Sequence, residues 1–136
     1  MKTYNYQIRL RSDAEPACGL GNELLNGLVP RDMHGNLVIP ASHLKGIMRE
    51  NLAVMLARLL GPKGDTLVDF LFGRPGEGGD DGDNGKFHLS DAVAKTDKRV
   101  TITRTAINDA GTAKGGSLRT TEAIAAGTTL KGKLTL

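Results

Sequence analysis

The segment IPASHLKGIMRE, residues 39–50, opens the most regularly patterned stretch of the sequence. From Ser42 onward, apolar residues recur at steps of three and four, as on one face of an α-helix, until Gly61 and Pro62 interrupt the pattern. The pattern predicts a helix with Ser42 as its N-cap. Gly46 is unexpected there, because an internal glycine costs about 0.5–1 kcal/mol relative to alanine. The apolar positions are Leu44, Ile47, Met48, Leu52, Met55, Leu56 and Leu59.

Strand-like segments lie on both sides of this helix. Residues 4–10 alternate apolar with polar side chains, residues 86–93 and 98–107 contain two further strand patterns, and residues 128–136 form a last one. The order strand, helix, strand, strand predicts an α+β fold, namely the βαββ part of a ferredoxin-like domain without its second helix and fourth strand. The first strand would then be an open sheet edge, which we expect a partner chain, a second copy or a further segment to cover.

Composition limits the class of protein. The chain has 136 residues, which predicts a single domain spanning residues 1–136, and 18 basic against 15 acidic residues give a net charge of +3. Its one cysteine, Cys18, excludes an internal disulfide and a cysteine-based zinc site. The sequence shows neither a signal peptide nor an apolar membrane span, so we expect a soluble cytoplasmic protein. Residues 74–85 are rich in Gly and Asp and predict a mobile loop.

The helix beginning at Ser42 has a cationic face. Ser42, Lys45 and Arg49 are spaced i, i+3 and i+7, so they project from the same side. A helix amino terminus with a hydroxyl and two cations can bind phosphate. Gly46 would let a sugar-phosphate backbone approach this face closely. The alternative is a solvated helix face that tolerates a glycine.

Several motifs resemble one known family. IPASHLKGIMRE resembles the IPGSSLKGxxR signature of the RAMP superfamily, whose repeat-associated proteins form the backbone of type III CRISPR effector complexes. Other similar motifs follow in family order: GLG at residues 19–21, VPRDMHGNLVIP at 29–40, LFG at 71–73, KFHLSDA at 86–92, and the stretch from TRTAI to GTTLKGKL at 103–134. The resemblance covers nearly the whole chain, at about the amino-terminal two thirds of a typical member.

This resemblance implies a modified RNA-recognition fold that binds RNA through its backbone. Subunits of the family stack into a filament on a guide RNA, so the expected partners are guide RNA, target RNA and other CRISPR effector subunits. The absence of Trp and the small number of other aromatic residues agree with backbone contact rather than base stacking. The residues that would hold guide phosphates are Ser42, His43, Lys45, Gly46 and Arg49.

The resemblance also implies a β-hairpin thumb that wedges between nucleotides. It would occupy an insertion at residues 104–127, with Ile107 or Leu118 as the apolar wedge. Arg104, Lys114 and Arg119 would contact the RNA backbone.

Catalysis is implied only through the same resemblance. Several family members cleave target RNA with a loop aspartate, about six residues ahead of a second acidic position. If Asp32 matches the second position, the catalytic position falls near Asn26, and asparagine cannot act as a carboxylate base. If the loop is shortened, Asp32 takes the role and His34 assists by proton transfer. The alternative is that the turn-rich sequence RDMHGN is an ordinary turn, in which Asp, Gly and Asn are common.

Three functions therefore stay open at the level of sequence. The first is an RNA-binding backbone subunit, which requires no cofactor. The second is an endoribonuclease, which would use a divalent metal ion. The third is a module that only assembles with other subunits. No sequence motif of a zinc site, a phosphate-binding loop or a calcium loop is intact, so the residues themselves predict no metal centre.

Overall fold

The computed structural model describes residues 1–16, 19–22, 24–74 and 85–136. The predicted mobile loop at residues 74–85 lies outside this description except for its two end residues, and Cys18 lies outside it as well. In chain order the elements are β1 Thr3–Arg9, β2 Leu37–Ile39, α1 Ala41–Leu60, α2 Pro62–Phe72, β3 His88–Leu89, β4 Ala92–Ala94, β5 Arg99–Arg104, β6 Arg119–Ile124 and β7 Thr129–Thr135.

The described strands form two sheets. The larger sheet has the order β1-β7-β4-β2, with β3 also paired to β7, while β5 and β6 form a two-stranded antiparallel sheet. The predicted α+β fold is thus confirmed. Among the described strands β1 stands at the end of the order and pairs with β7 alone, so it is the predicted sheet edge. Neither helix has the length and apolarity needed to span a lipid bilayer.

The chain divides into two compact units, each discontinuous in sequence. Unit 1 comprises Met1–Tyr6, Pro40–Ala92 and Gly132–Leu136, and unit 2 comprises Gln7–Ile39 and Val93–Lys131. The division does not test the single domain expected from chain length, which therefore stays a prediction.

The core of unit 1 is formed mainly by α2. Val68, Phe72 and Phe87 are buried together, with the two phenylalanine ring centroids 5.0 Å apart, and Leu52 and Leu56 of α1 pack against them. The predicted apolar stripe of α1 is therefore split. Leu44 is half-buried like Leu52 and Leu56, whereas Ile47, Met48, Met55 and Leu59 are exposed. The physical reason is α2, which the sequence analysis did not predict and which packs against one side of α1 only.

The amino terminus of α1 also differs from the prediction. The N-cap is Pro40, in an extended conformation with φ −59° and ψ 140°, and Ser42 lies inside the helix without capping it. The carbonyl of Pro40 accepts hydrogen bonds from the amides of His43 and Leu44. The Ala41 amide donates to Oδ1 of Asp91 at 2.7 Å. A carboxylate brought from the β3–β4 connection therefore stabilises the helix terminus.

Unit 2 presents the β5–β6 hairpin. Six residue pairs join its strands, from Arg99 opposite Ile124 to Arg104 opposite Arg119. The hairpin thus begins earlier than the insertion predicted at residues 104–127. Ile124 and Leu130 are fully buried in this unit. They anchor the base of the hairpin while its far end stays exposed.

Candidate functional site

The open end of the β5–β6 hairpin brings together three cations that are far apart in sequence. Arg104, Lys114 and Arg119 line one open pocket of about 490 Å³. The side chain of Ser117 holds the pocket wall: its Oγ lies 2.9 Å from the Thr105 hydroxyl and accepts a hydrogen bond of 3.1 Å from the Ala106 amide. The structure thus brings the three residues to one pocket, and their predicted contact with an RNA backbone stays a prediction.

The pocket carries uncompensated positive charge. Arg104 and Arg119 are directly opposite across the strands, an arrangement that is unfavourable for like charges. Arg104 is compensated by Glu15, whose Oε2 accepts from Nη1 at 2.9 Å, and this bond holds the pKa of Glu15 below its ordinary value. Lys114 and Arg119 form no ion pair within the described part of the chain. An anion bound in the pocket would reduce the electrostatic repulsion among these cations.

Two large apolar side chains flank this pocket in sequence. Ile107 is 69% exposed and Leu118 is 67% exposed. The loop next to Ile107 is ordered by Asn108, whose Oδ1 accepts hydrogen bonds from the amides of Ala110 and Thr112, each at 3.0 Å. Two exposed apolar side chains next in sequence to a cationic pocket have the chemistry that the sequence analysis expects of a wedge between nucleotides.

The predicted phosphate face of α1 is only partly available. Ser42 and His43 are exposed and Lys45 is half-buried, but the helix terminus already binds the Asp91 carboxylate. Gly46 has open space around it, since a Cβ added there would meet nothing within 4 Å. No contact within the described chain therefore requires a glycine at this position.

Arg49 makes two contacts within unit 1. Its Nη2 donates to Oδ1 of Asp69 at 2.9 Å, and its Nη1 donates to the Gly73 carbonyl at 2.5 Å. These bonds join α1 to the carboxyl end of α2. Arg49 thus has a structural role that the sequence did not reveal, and its predicted contact with phosphate stays a prediction.

Asp32 and His34 lie together in a tight turn. Oδ1 of Asp32 accepts hydrogen bonds of 2.9 Å from the His34 and Asn36 amides, and Oδ2 accepts one of 2.9 Å from Asn36 Nδ2. Asn26 is engaged elsewhere, because its Oδ1 accepts from the Thr120 amide at 2.8 Å. Within the described ranges, no three His, Cys, Asp or Glu side chains are grouped to hold a metal ion. Asp32 and His34 thus belong to a hydrogen-bonded turn, and the Asn26 side chain anchors its loop to β6.

The hydrogen bonds of this turn predict a lowered pKa for the Asp32 carboxyl group. The hydrogen bond from the Asn36 side chain lowers the pKa of Asp32 below its ordinary value of 3.8. The resulting stabilisation is present above that ordinary pKa and is lost as the pH falls through the lowered one. We expect the Asp32 carboxyl resonance in an NMR titration to have a midpoint below 3.8, and Asn36→Ala to raise it. A midpoint unchanged by Asn36→Ala would contradict this account.

Sequence reasoning missed the acidic partners of the predicted cations. Glu15 and Asp69 pair with Arg104 and Arg49, and Asp91 binds the amino terminus of α1, which the sequence marked as a candidate phosphate site. The separations are long: 89 residues between Glu15 and Arg104, and 50 between Asp91 and Ala41. No local pattern signals such pairings.

Comparison with known proteins gives one family and one fold. A family model described as the RAMP superfamily matches residues 16–135. A chain in a cryo-EM structure of the Type III-B Cmr-beta bound to cognate target RNA has a TM-score of 0.75 at 11% identity, covering 99% of this chain and 84% of that one. A chain of the Type III-B Cmr-beta in the apo state gives 0.69 at 12% identity, covering 98% and 83%. Functionally curated proteins yield no significant sequence match.

Proposed function

Because the chain belongs to the RAMP superfamily, we propose that it is an RNA-binding backbone subunit of a type III CRISPR RNA-guided effector complex. The observation that carries the proposal is the hairpin pocket, where Lys114 and Arg119 form no ion pair with any described residue and lie beside the compensated Arg104. The structural neighbours belong to Type III-B Cmr-beta structures, one of them bound to target RNA, which supports the same class of complex. The expected partners are guide RNA, target RNA and other subunits.

The hairpin would bind RNA in two ways. A phosphate of the guide would lie between Lys114 and Arg119, forming charge-assisted hydrogen bonds. Ile107 or Leu118 would insert between neighbouring nucleotides, since both are largely exposed. Neither contact reads base edges, so binding would be independent of RNA sequence and sensitive to salt. It would need no metal ion, and EDTA should leave the affinity unchanged.

The amino-terminal half of α1 would supply a second contact. Ser42 and His43 are exposed, Lys45 is half-buried, and Gly46 leaves the helix surface open to a backbone. Asp91 limits this site, because its carboxylate occupies the first helix amide. We therefore expect Lys45 to contribute through charge and Gly46 through close approach.

The test is RNA binding by fluorescence anisotropy across a salt series. We expect Lys114→Ala/Arg119→Ala to weaken binding about tenfold and to reduce the salt slope by up to roughly 1.4, because each lost phosphate contact on a single strand contributes about 0.7. Arg11→Ala/Lys63→Ala is the matched control, since it removes the same charges elsewhere. An equal loss of affinity in the control would show that net charge alone is responsible.

Two alternatives stay open as predictions. An endoribonuclease would require a divalent metal ion, and cleavage of RNA with Mg²⁺ or Mn²⁺ that disappears in Asp32→Ala would establish it. A module that only assembles would bind no RNA at any salt concentration. In either case the open edge of β1 is a place where self-association or a partner chain would complete the sheet.

A further inference from the structure

Unit 2 contains a second cationic pocket, which shares no lining residue with the hairpin pocket. It is an open pocket of about 680 Å³ whose charged lining residues are Lys95, Lys98 and Lys131. The pairing of β4 with β7, with Val93 opposite Lys131, brings the 95–98 turn beside the β7 strand. The sequence analysis assigned no role to these three lysines.

None of the described residues that line this pocket has an acidic side chain. The carboxylate nearest in sequence is that of Asp97, between two of the lysines, and it is bound by Arg31 at 2.9 Å and by Arg99 at 2.8 Å. The three lysine side chains make no ion pair or hydrogen bond with any described residue. An anion entering the pocket would therefore meet three uncompensated ammonium groups.

A second observation concerns Thr128, which also lines the pocket. The residue is 2% exposed, and its Oγ1 is buried without a hydrogen-bond partner within the described chain. A buried hydroxyl without a partner is unfavourable and uncommon in native proteins. An acceptor bound in the pocket that Thr128 lines would give this hydroxyl a partner. Phosphate oxygens are acceptors of the required kind.

We propose that this pocket binds the phosphate group of a nucleotide. Three lysines neutralise the phosphate, and the Thr128 hydroxyl donates to one of its oxygens. The volume lies in the range of about 300–1,000 Å³ typical of small-molecule sites, and the side chain of Gln7 adds an amide for a ribose or base. The site is distinct from the hairpin pocket, because the two pockets share no lining residue.

The test uses the full chain and calorimetric titration with ATP, inorganic phosphate and a four-nucleotide RNA. We expect Lys95→Ala/Lys98→Ala/Lys131→Ala to weaken binding of ATP or of the RNA by about tenfold or more. The matched control, Lys2→Ala/Lys63→Ala/Lys133→Ala, removes the same charge outside the pocket and should retain affinity. Lys114→Ala/Arg119→Ala should retain ATP binding, which separates this pocket from the proposed function of the hairpin.

Thr128→Val is the second variant, and it changes no charge. We expect it to keep or raise the melting temperature, because it removes an unpaired buried hydroxyl, and to weaken binding about threefold to fivefold. ATP binding that is lost in the triple lysine variant would identify a free nucleotide as ligand. RNA binding that is lost in this variant but kept in Lys114→Ala/Arg119→Ala would identify a strand phosphate, and either result supports the site. Binding of neither, or equal affinity in the triple lysine variant and its control, would overturn it.

Discussion

Gly64→Ala is expected to lower the free energy of unfolding by about 3 kcal/mol or more, the upper range for overpacking a close contact. Gly64 lies in α2 where this helix passes α1, and a Cβ added there would be 2.7 Å from the carbonyl carbon and oxygen of Leu56. Those atoms belong to the backbone of α1, so they cannot move aside as a flexible side chain could. The two helices would have to separate. Chemical denaturation of both proteins would measure the difference.

Gly46→Ala is the matched control, since it makes the same substitution in the other helix. The space around Gly46 is open, so alanine should raise the free energy of unfolding by about 0.5–1 kcal/mol through helix propensity. The same change should weaken RNA binding if a sugar-phosphate backbone lies against this face. Stabilisation without any loss of RNA affinity would leave Gly46 without a functional reason. Destabilisation by Gly46→Ala would contradict the described geometry.

Arg49→Ala is expected to lower the free energy of unfolding by about 2 kcal/mol, the range for a hydrogen bond to a charged group. The side chain joins α1 to the end of α2 through Asp69 and the Gly73 carbonyl. Loss of this side chain would remove the ion pair of the half-exposed Asp69 carboxylate and the hydrogen bond to the Gly73 carbonyl at the end of α2. Arg49→Lys should recover only part of the stability, because an ammonium group cannot reproduce the planar fork that reaches both acceptors. Thermal or urea unfolding of the unchanged protein and of both Arg49 variants would measure these differences in the free energy of unfolding.

Asp69→Asn separates the structural role of Arg49 from a role in RNA binding. If Arg49 acts only within unit 1, Asp69→Asn should destabilise the protein and leave RNA affinity unchanged. If Arg49 also grips phosphate, the same variant would free the guanidinium and raise the affinity. A double-mutant cycle with Arg49→Ala and Asp69→Ala gives their coupling energy directly. A coupling near zero would refute the structural role.

The parts of the fold that sequence predicted were those with a strong local period. The helix that became α1 and the final strand were visible because their apolar residues recur at fixed steps. The end of α1 was also correct, since Gly61 adopts φ +57° and Pro62 begins α2. The short strand β2 was missed because three consecutive buried residues show no alternation.

The candidate site was harder to predict than the fold. The motif resemblance predicted RNA contacts for Arg104, Lys114 and Arg119, which the structure brings to one pocket. It could not show that Arg49 is bound to Asp69, because side-chain pairing depends on the packing of α1 on α2. The lysine pocket at β4 and β7 was missed for the same reason, since its lysines are gathered only by strand pairing.

The pairing of β1 with β7 also sets the order in which the molecule can form. Lys2 and Leu136 exchange two backbone hydrogen bonds. The hydroxyl groups of Thr3 and Thr135, which are 132 positions apart in sequence, also form a hydrogen bond. A loop of that length closes slowly, whereas α1 and α2 are consecutive and can dock early. During synthesis, β1 cannot form its backbone hydrogen bonds with β7 until β7 has left the ribosome. Its exposed backbone is then available to chaperones or to neighbouring nascent chains.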